Sequence, residues 1–238
     1  MLAAMSYIRP DIVKAVRSLG FKTIGTPPYK GLSEKPEAAH ADMQIKATPE
    51  GDIFLLKNNE PFNKIVLDEL PQSASCVNLT EDEIYDFSYP YCVKLNAAVV
   101  GRHVIGNLRY LDKKMTERLK ALGYEFINVK QGYAGCSTAV VSGSAVITSD
   151  SGVAKATAAC GIDVLTISPG HIGLCKSYGG FIGGASFLAD EGMLAFTGDV
   201  TRHPDYIRIE SFCAAHGVKT LSLTDAPLLD IGGIVRIL

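Results

Sequence analysis

The sequence predicts an α/β propeller of five pseudo-symmetric ββαβ units around a central channel, closed by the two ends of the chain. Three observations predict it. A helix that stops at glycine and leads into a strand recurs, a hairpin with a small-residue first strand recurs, and each end of the chain holds part of one unit. Because each unit buries its apolar face only against neighbours, we expect residues 1–238 to form a single domain.

The first repeated element is a helical stretch that stops at a glycine and continues as an apolar strand. It occurs as RSLGFKTIGT at 17–26, KALGYEFINV at 120–129, AACGIDVLTI at 158–167 and AAHGVKTLSL at 214–223. The stop residues are Gly20, Gly123, Gly161 and Gly217. Helices commonly end in a left-handed residue, which glycine adopts without steric cost. Each stretch therefore predicts a helix followed by a strand.

The second repeated element is a hairpin whose first strand is rich in small residues. It occurs as HADMQIKATPEGDIFLL from 40, KLNAAVVGRHVIGN from 94, GCSTAVVSGSAVITSD from 135 and IGGASFLADEGMLAFTGD from 182, with a truncated copy, IGGIVRIL, at 231–238. The predicted units are approximately 40–90, 91–131, 132–178 and 179–226, and 227–238 joined with 1–39. The last unit is shared between the two ends, so pairing of its parts closes the ring and removes exposed sheet edges.

Helices are predicted between each hairpin and the next glycine-led strand. The helical segments are 112–123, 151–161 and 203–217, with Asp112, Ser151 and Asp205 as start residues. The first unit is less regular, because PFNKIVLDEL is followed by SASCVNL without a glycine stop. The alternative is an ordinary doubly wound sheet, in which the small-residue hairpin would not recur.

Composition narrows the function classes. The formal net charge is -2 and no basic block occurs, so nucleic acid is not an expected partner. No stretch approaches the roughly 20 apolar residues of a membrane span, which favours a cytoplasmic protein without membrane association. The six cysteines form no Cys-x-x-Cys pair, which favours reduced thiols over a zinc site. The sequence indicates no metal and no cofactor.

Two short motifs add to the repeat pattern. His40, Ala41 and Asp42 form a His-x-Asp at the head of one small-residue strand, and Gly232 with Gly233 heads another. Together with five ββαβ units, these motifs resemble the penteins, the guanidino-group-modifying superfamily. That superfamily includes arginine and agmatine deiminases, dimethylarginine hydrolases, amidinotransferases and a non-catalytic ribosome anti-association factor. The resemblance implies a channel lined by the first strands and, in catalytic members, a Cys, a His and carboxylates around a guanidinium.

The chain departs from the catalytic pattern at two places. Ile234 follows the two glycines where the family has its nucleophilic cysteine, and the His-x-Asp lies in the first hairpin instead of late in the chain. The family's catalytic set therefore does not transfer as it stands.

The repeat nevertheless predicts which polar residues meet, because equivalent positions on the first strands converge at one end of the channel. We expect His40, Asp42 and Cys136 to be the catalytic candidates. We expect the substrate-binding candidates to be Asn96, Lys130, Gln131, Ser137, His171 and Asp230. Lys130 could lower the pKa of the Cys136 thiol, and the glycine-rich stretch 168–184 could form a lid.

Each assignment has an alternative. Cys136 could be a buried structural cysteine, Lys130 a solvated loop residue, and His40 with Asp42 a pair that caps a strand. Two function classes follow: a cysteine-dependent hydrolase or transferase acting on a small polar amidine or amide, and a non-catalytic binding protein on the same scaffold. An unrelated α/β enzyme is the third possibility.

Overall fold

The computed structural model describes residues 1–32, 35–57, 59–70, 77–80, 86–175 and 178–237. Its strands are β1 (Leu2–Ser6), β2 (Lys22–Thr26), β3 (Ile45–Ala47), β4 (Ile53–Leu55), β5 (Val77–Leu79), β6 (Ala98–Val100), β7 (His103–Gly106), β8 (Glu125–Asn128), β9 (Thr138–Ser142), β10 (Ala145–Thr148), β11 (Asp163–Thr166), β12 (Gly173–Cys175), β13 (Tyr178–Gly179), β14 (Ser186–Asp190), β15 (Met193–Phe196), β16 (Lys219–Ser222) and β17 (Ile234–Arg236). Its α-helices are α1 (Pro10–Ser18), α2 (Ala41–Gln44), α3 (Glu60–Glu69), α4 (Lys113–Ala121), α5 (Ala134–Ser137), α6 (Ser151–Ala158) and α7 (Tyr206–Ala215). The start of the predicted strand SASCVNL, at 73–76, lies outside the described residues.

The described residues form five three-stranded sheets, which confirms the predicted α/β architecture. Their strand orders are β17-β1-β2, β3-β4-β5, β6-β7-β8, β9-β10-β11 and β14-β15-β16. In each of these orders the first strand is the inner one and the last is the outer one. The inner strand runs antiparallel to the middle strand, and the middle strand runs parallel to the outer one. A helix connects the middle strand to the outer strand, since parallel neighbours need a crossover. Each sheet is therefore one ββαβ unit.

The unit shared between the two ends of the chain closes the ring. Strand β17 pairs with β1 so that Ile234 lies opposite Met5 and Arg236 opposite Ala3. Strand β1 then pairs in parallel with β2 after helix α1. The first and last strands thus complete one sheet, as the truncated hairpin IGGIVRIL predicts.

The apolar core is divided among five clusters, and each cluster joins two neighbouring sheets. Strand β1 shows the principle: Ala3 and Met5 pack with Phe187 of β14, whereas Leu2 and Ala4 pack with Ile53 of β4. Successive side chains of a strand point to opposite faces, so one strand supplies two clusters. Three further clusters join β4 to β7, β7 to β10 and β10 to β15. The sequence of contacts returns to its start, which is the packing expected of a ring.

The helix ends follow the sequence in part. Gly20, Gly123, Gly161 and Gly217 have φ of 88°, 82°, 79° and 73°, which confirms the left-handed stops. Asp112 caps α4, and its carboxylate accepts a hydrogen bond from the Met115 N–H at 2.8 Å.

One predicted start residue needs correction, and Asp205 holds its predicted place at the start of α7 without a side-chain cap. Asp150, one residue before Ser151, caps α6 by accepting from the Val153 N–H at 2.8 Å. Asp205 precedes α7, but its carboxylate accepts from the Ser168 N–H at 2.6 Å and so joins α7 to another loop.

The glycine-rich stretch 168–184 carries more structure than a free loop. Strands β12 and β13 form a small hairpin within it, and residues 176–177 lie outside the described residues. The Gly173 N–H donates to the Leu228 carbonyl at 2.9 Å, and the Asp230 N–H donates to the Gly173 carbonyl at 2.7 Å. The segment is therefore held against the residues that lead into β17.

Cys92, Cys136, Cys160 and Cys213 are free thiols. Within the described ranges, no helix has both the length and the apolar character needed to cross a bilayer.

Candidate functional site

The residues that precede the inner strands meet at one end of the ring. Short helical turns α2 and α5 precede β3 and β9, and glycine-containing turns precede β14 and β17. Backbone hydrogen bonds join these turns: the Asp42 N–H donates to the Gly232 carbonyl at 3.1 Å, and the Gly184 N–H donates to the Cys136 carbonyl at 2.9 Å. Side chains from four different sheets are thereby brought together despite their distance in sequence.

At the centre of this meeting point, a thiol lies against a carboxylate. The Cys136 thiol donates to Asp42 Oδ2 at 2.7 Å, and Asn96 Nδ2 donates to Cys136 Sγ at 3.2 Å. Asn96 Oδ1 in turn accepts from the backbone N–H groups of Gly135 at 2.8 Å and Cys136 at 3.2 Å. The Asn96 side chain therefore positions Cys136 through hydrogen bonds to both its backbone N–H and its sulfur.

A second carboxylate and a histidine complete the group. Asp230 accepts from the Gly232 N–H through Oδ1 and from the Phe181 N–H through Oδ2, both at 2.9 Å. His40 Nδ1 lies 3.9 Å from Asp230 Oδ1, beyond hydrogen-bonding distance. We call the set His40, Asp42, Asn96, Cys136 and Asp230 the carboxylate–thiol cluster. All five residues are buried.

Two buried polar atoms of the cluster have no partner among the described residues. They are His40 Nδ1 and Asp42 Oδ1. Buried polar groups are nearly always hydrogen-bonded, because an unpaired one costs about 1–3 kcal/mol. Unpaired atoms on two neighbouring side chains are therefore places where a ligand could supply the missing hydrogen bonds.

Burial shapes the electrostatics of the cluster. It raises the pKa of Asp42 to about 6, and burial together with the Asp42 charge raises the pKa of Asp230 to about 7. Burial lowers the pKa of His40 to about 4, so its imidazole is neutral at pH 7. Burial, followed by the charges of Asp42 and Asp230, raises the pKa of the Cys136 thiol well above its ordinary value. At neutral pH the cluster thus combines a protonated thiol with one or two negative charges.

Two glycines allow these side chains to approach one another. A Cβ at Gly184 would lie 1.9 Å from Asp230 Oδ1, and a Cβ at Gly232 would lie 2.2 Å from His40 Cβ. Gly232 also has a φ of 78°, which side chains rarely adopt. The Gly-Gly pairs visible in the sequence are therefore needed where backbone passes directly over the cluster.

The central channel opens from the cluster as a cavity of 660 Å³. Its lining includes Asp42 and Gly232 on the cluster side and the hairpin residues Gly143 and Glu191. Lys46, on β3, also lines it, and burial lowers the pKa of this lysine while the charges of Asp42 and Cys136 oppose that shift. Lys46 is not among the residues predicted from the sequence. The available signal was its position between Ile45 and Ala47 on a first strand, where alternate residues face the channel.

An aromatic group lies beside the cluster. The rings of Tyr89 and Tyr133 stack with centroids 5.0 Å apart, and Phe181 lies 6.4 Å from Tyr133. The Tyr133 hydroxyl donates to Glu37 Oε1 at 3.0 Å. Since the Phe181 N–H also binds Asp230, the aromatic group is joined to the cluster. These rings are not among the site residues predicted from the sequence.

Four predicted substrate-binding residues lie outside the cluster. Ser137 is buried, but its hydroxyl donates to the Ala134 carbonyl of its own turn at 3.2 Å. Gln131 donates to Asp150 Oδ2 at 3.0 Å and so holds a loop to α6. Lys130 and His171 are exposed, and the His171 ring lies 5.4 Å from that of His203. Closeness in sequence to Cys136 or to the glycine-rich segment does not bring these side chains to the cluster.

The cluster also contains groups that could bind a metal. One ligand atom each from His40, Asp42 and Cys136 lies within 4.8 Å of the others. Tetrahedral zinc with bonds of about 2.0–2.3 Å places its ligands roughly 3.5 Å apart, so a small rearrangement would fit them around an ion. The sequence did not reveal this set, because its members come from two different units and do not form a Cys-x-x-Cys pair.

Comparison with solved structures shows the pentein fold. SxtG, an amidinotransferase from Microseira wollei in the saxitoxin biosynthetic pathway, matches 93% of this chain and 78% of its own at 11% identity and a TM-score of 0.61. A dimethylarginine dimethylaminohydrolase adduct with S-methyl-L-thiocitrulline matches 91% of this chain and 80% of its own, at 10% identity and 0.56. Agmatine deiminase from C. jejuni matches 94% and 86%, at 9% identity and 0.54.

Sequence comparison is more restricted. The family model described as "Family of unknown function (DUF6873)" matches residues 4–235. No curated protein matches the sequence.

Proposed function

The chain belongs to the DUF6873 family, and on its pentein fold we propose that it is a cysteine-dependent hydrolase or transferase acting on the amidine or guanidine group of a small polar molecule. The observation that carries the proposal is the 2.7 Å contact between the Cys136 thiol and Asp42 inside a buried, negatively charged cluster. Such a contact joins a nucleophile to a proton acceptor.

A planar cation supplies what the carboxylate–thiol cluster lacks. Asp42 Oδ1 has no partner, and within the described residues neither Asp42 nor Asp230 forms an ion pair with a lysine or arginine. An amidinium group presents paired N–H donors on a delocalised positive charge, which matches carboxylate acceptors. We propose that it binds between Asp42 and Asp230, with neutral His40 Nδ1 as a further polar contact.

The same contacts provide a route for the reaction. The thiol transfers its proton to Asp42, and the sulfur forms a bond to the amidine carbon. An amine or ammonia then leaves with a proton. In a hydrolase, water attacks the sulfur-bound carbon, and the released thiol recovers its proton. The sum is amidinium plus water giving amide plus ammonium. In a transferase, an acceptor amine takes the place of water.

Substrate charge has a specific role in this scheme. Because the neighbouring carboxylates raise the thiol pKa, Cys136 stays protonated while the cluster is empty. A bound cation offsets those negative charges and stabilises the thiolate. The nucleophile therefore forms when the correct substrate is present, and neutral molecules do not activate it.

Two isosteric reagents test this role: 2-chloroacetamidine, a cation, and 2-chloroacetamide, its neutral counterpart. Labelling of each cysteine is followed by mass spectrometry at pH 7.5, with exposed Cys160 as the internal reference. We expect the cation to label Cys136 at least ten times faster than the neutral reagent after normalisation to Cys160. Asp42→Asn should remove that preference. Equal normalised rates at Cys136, or a preference at another cysteine, would refute the proposal.

A non-catalytic binding protein is the second candidate. It is favoured by the burial of Cys136, which is 2% exposed, together with its raised pKa. In that case, guanidinium compounds would raise the thermal unfolding temperature equally in the native protein and in Cys136→Ser, and the cationic reagent would leave Cys136 unlabelled. Selective labelling of Cys136 excludes this candidate.

A further inference from the structure

A second pocket, of 490 Å³, lies on the surface of the molecule beside helix α1. Its volume is within the range of about 300–1,000 Å³ that is usual for small-molecule sites. Among the described residues, none lines both this pocket and the central channel. We call it the α1 pocket, and its lining residues are Tyr7, Pro10, Val13, Lys14, Arg17 and Ser18. It is therefore separate from the site of the proposed reaction.

The charged residues that line the α1 pocket are both cations. The Lys14 ammonium forms no hydrogen bond or ion pair with any described residue, and Arg17 forms no ion pair with one. Asp11, the acidic residue of α1, pairs with Arg9 instead. The chain as a whole has a formal net charge of -2, so this pair of cations without a counter-charge is a local exception. Together they attract an anion to the pocket.

Hydrogen bonds hold the Arg17 guanidinium in a fixed orientation. Its Nε donates to Thr23 Oγ1 at 2.8 Å, and its Nη2 donates to the Tyr7 hydroxyl at 3.0 Å. A guanidinium has five N–H donors, so the three that remain, on Nη1 and Nη2, have no partner among the described residues. Paired N–H groups of this kind fit two oxygens of one phosphate or carboxylate. The side chain is therefore oriented in advance for a bidentate contact with an anion.

The Tyr7 ring forms an apolar wall beside these cations. Its hydroxyl donates to the Thr23 carbonyl at 2.8 Å, and Arg17 Cζ lies 5.6 Å from the ring centroid. The ring lies against Gly25, where an added Cβ would come within 3.0 Å of the ring atoms. Tyr7 is nevertheless 41% exposed. A ligand in the α1 pocket would thus meet a fixed aromatic surface next to two positive charges.

We propose that the α1 pocket binds a phosphate monoester of a small aromatic or apolar molecule. The phosphate oxygens accept hydrogen bonds from the free N–H groups of Arg17 and from the Lys14 ammonium, and the organic part lies against Tyr7 and Pro10. A phosphate monoester carries about two negative charges at pH 7.5, which match the two cations, whereas a carboxylate carries one. Lys14 and Arg17 therefore select the ligand by its charge. This site is independent of the proposed function.

Phenyl phosphate is the probe, and it is compared with benzyl alcohol, phenylacetate and inorganic phosphate. Binding is followed by backbone amide chemical shifts in NMR titrations at pH 7.5 and constant ionic strength. We expect phenyl phosphate to shift the amides of Tyr7 and α1 and to bind at least about fivefold more tightly than each comparison compound. Lys14→Met and Arg17→Met should each weaken its binding at least about fivefold. Arg17→Lys should also weaken it, because an ammonium lacks paired N–H groups.

Lys155→Met is the matched control, since it removes an exposed cation from a different helix, α6. It should leave the affinity for phenyl phosphate unchanged, and thermal unfolding of each variant shows that the fold is kept. Shifts that map away from α1, equal binding of benzyl alcohol, or an equal loss of affinity in Lys155→Met would overturn the proposal. Equal binding of phenylacetate would overturn the assignment to phosphate, and equal binding of inorganic phosphate would overturn the role of the aromatic wall.

Discussion

Asp230 should make the protein less stable as the pH rises from 5 to 8, and Asp230→Asn should remove that loss. The folded-state pKa of this carboxyl is raised from 3.8 to about 7 by burial and by the charge of Asp42. A carboxyl with a raised folded-state pKa favours the folded state when protonated. Its contribution is complete below about pH 4 and is lost as the pH rises through 7.

The size of this stability loss follows from the two pKa values of Asp230, 3.8 and about 7. One unit of pKa difference corresponds to about 1.4 kcal/mol, and linkage over pH 5 to 8 gives a loss of roughly 2–3 kcal/mol from Asp230 alone. Asparagine has no charge, but it can accept only one of the two backbone N–H bonds, from Gly232 and Phe181, which costs about 1–3 kcal/mol at every pH. The variant should therefore be less stable than the native protein at pH 5, and the difference in unfolding free energy should shift in favour of the variant as the pH rises to 8.

Urea unfolding at pH 5, 6, 7 and 8 measures both curves. His40 has a depressed pKa, so its stabilising contribution is lost as pH falls from 6.5 toward 4, but both proteins share that effect. The difference between the two curves isolates Asp230. Asp68→Asn, on the exposed side of α3, serves as a surface control. Its unfolding free energy should change with pH in parallel with that of the native protein. Parallel curves for Asp230→Asn would contradict the burial argument.

Three further outcomes follow from the same geometry. Gly232→Ala should lower the unfolding free energy by about 3 kcal/mol or more, because the new Cβ meets His40. Gly123→Ala, at similar φ but with open space around the new Cβ, should lower it by only about 1 kcal/mol. Equal losses of unfolding free energy in chemical denaturation would contradict the clash with His40. Asn96→Ala should cost about 2–4 kcal/mol and abolish the labelling preference at Cys136, since its three hydrogen bonds with Gly135 and Cys136 are lost; a fully retained preference would show that Asn96 does not position the thiol. Added Co²⁺ should give a thiolate-to-metal absorption band that Cys136→Ser lacks, and an unchanged spectrum would show that the cluster does not bind the ion.

The fold could be predicted from the sequence because its repeats have local causes. A glycine that stops a helix is required by backbone geometry, and Gly20, Gly123, Gly161 and Gly217 mark the same point of four units. The truncated strand at 231–238 also indicated its pairing with the first strand. The cap of α6 is Asp150, one residue before the predicted Ser151, because both are good capping residues and only the chain geometry selects between them.

The candidate site was predictable only where it depends on the ring. Asp42, Asn96, Cys136 and Asp230 head different first strands, so the repeat alignment alone groups them. Side-chain direction is not visible in that alignment. Ser137 follows Cys136 but turns back to its own backbone, and Lys130, close in sequence, lies outside the cluster, whereas Lys46 faces it from the channel.

The distribution of the carboxylate–thiol cluster over four sheets makes the site a reporter of cooperativity. Asp42, Asn96, Cys136 and Asp230 each precede the inner strand of a different sheet, so no single unit contains a working fragment of the site. Separation of any of these sheets from its neighbours would disperse the group and expose the sulfur. The rate at which a neutral reagent reaches Cys136 in the unliganded protein therefore measures how often the ring opens, and a ligand that binds all four sheets should slow that opening.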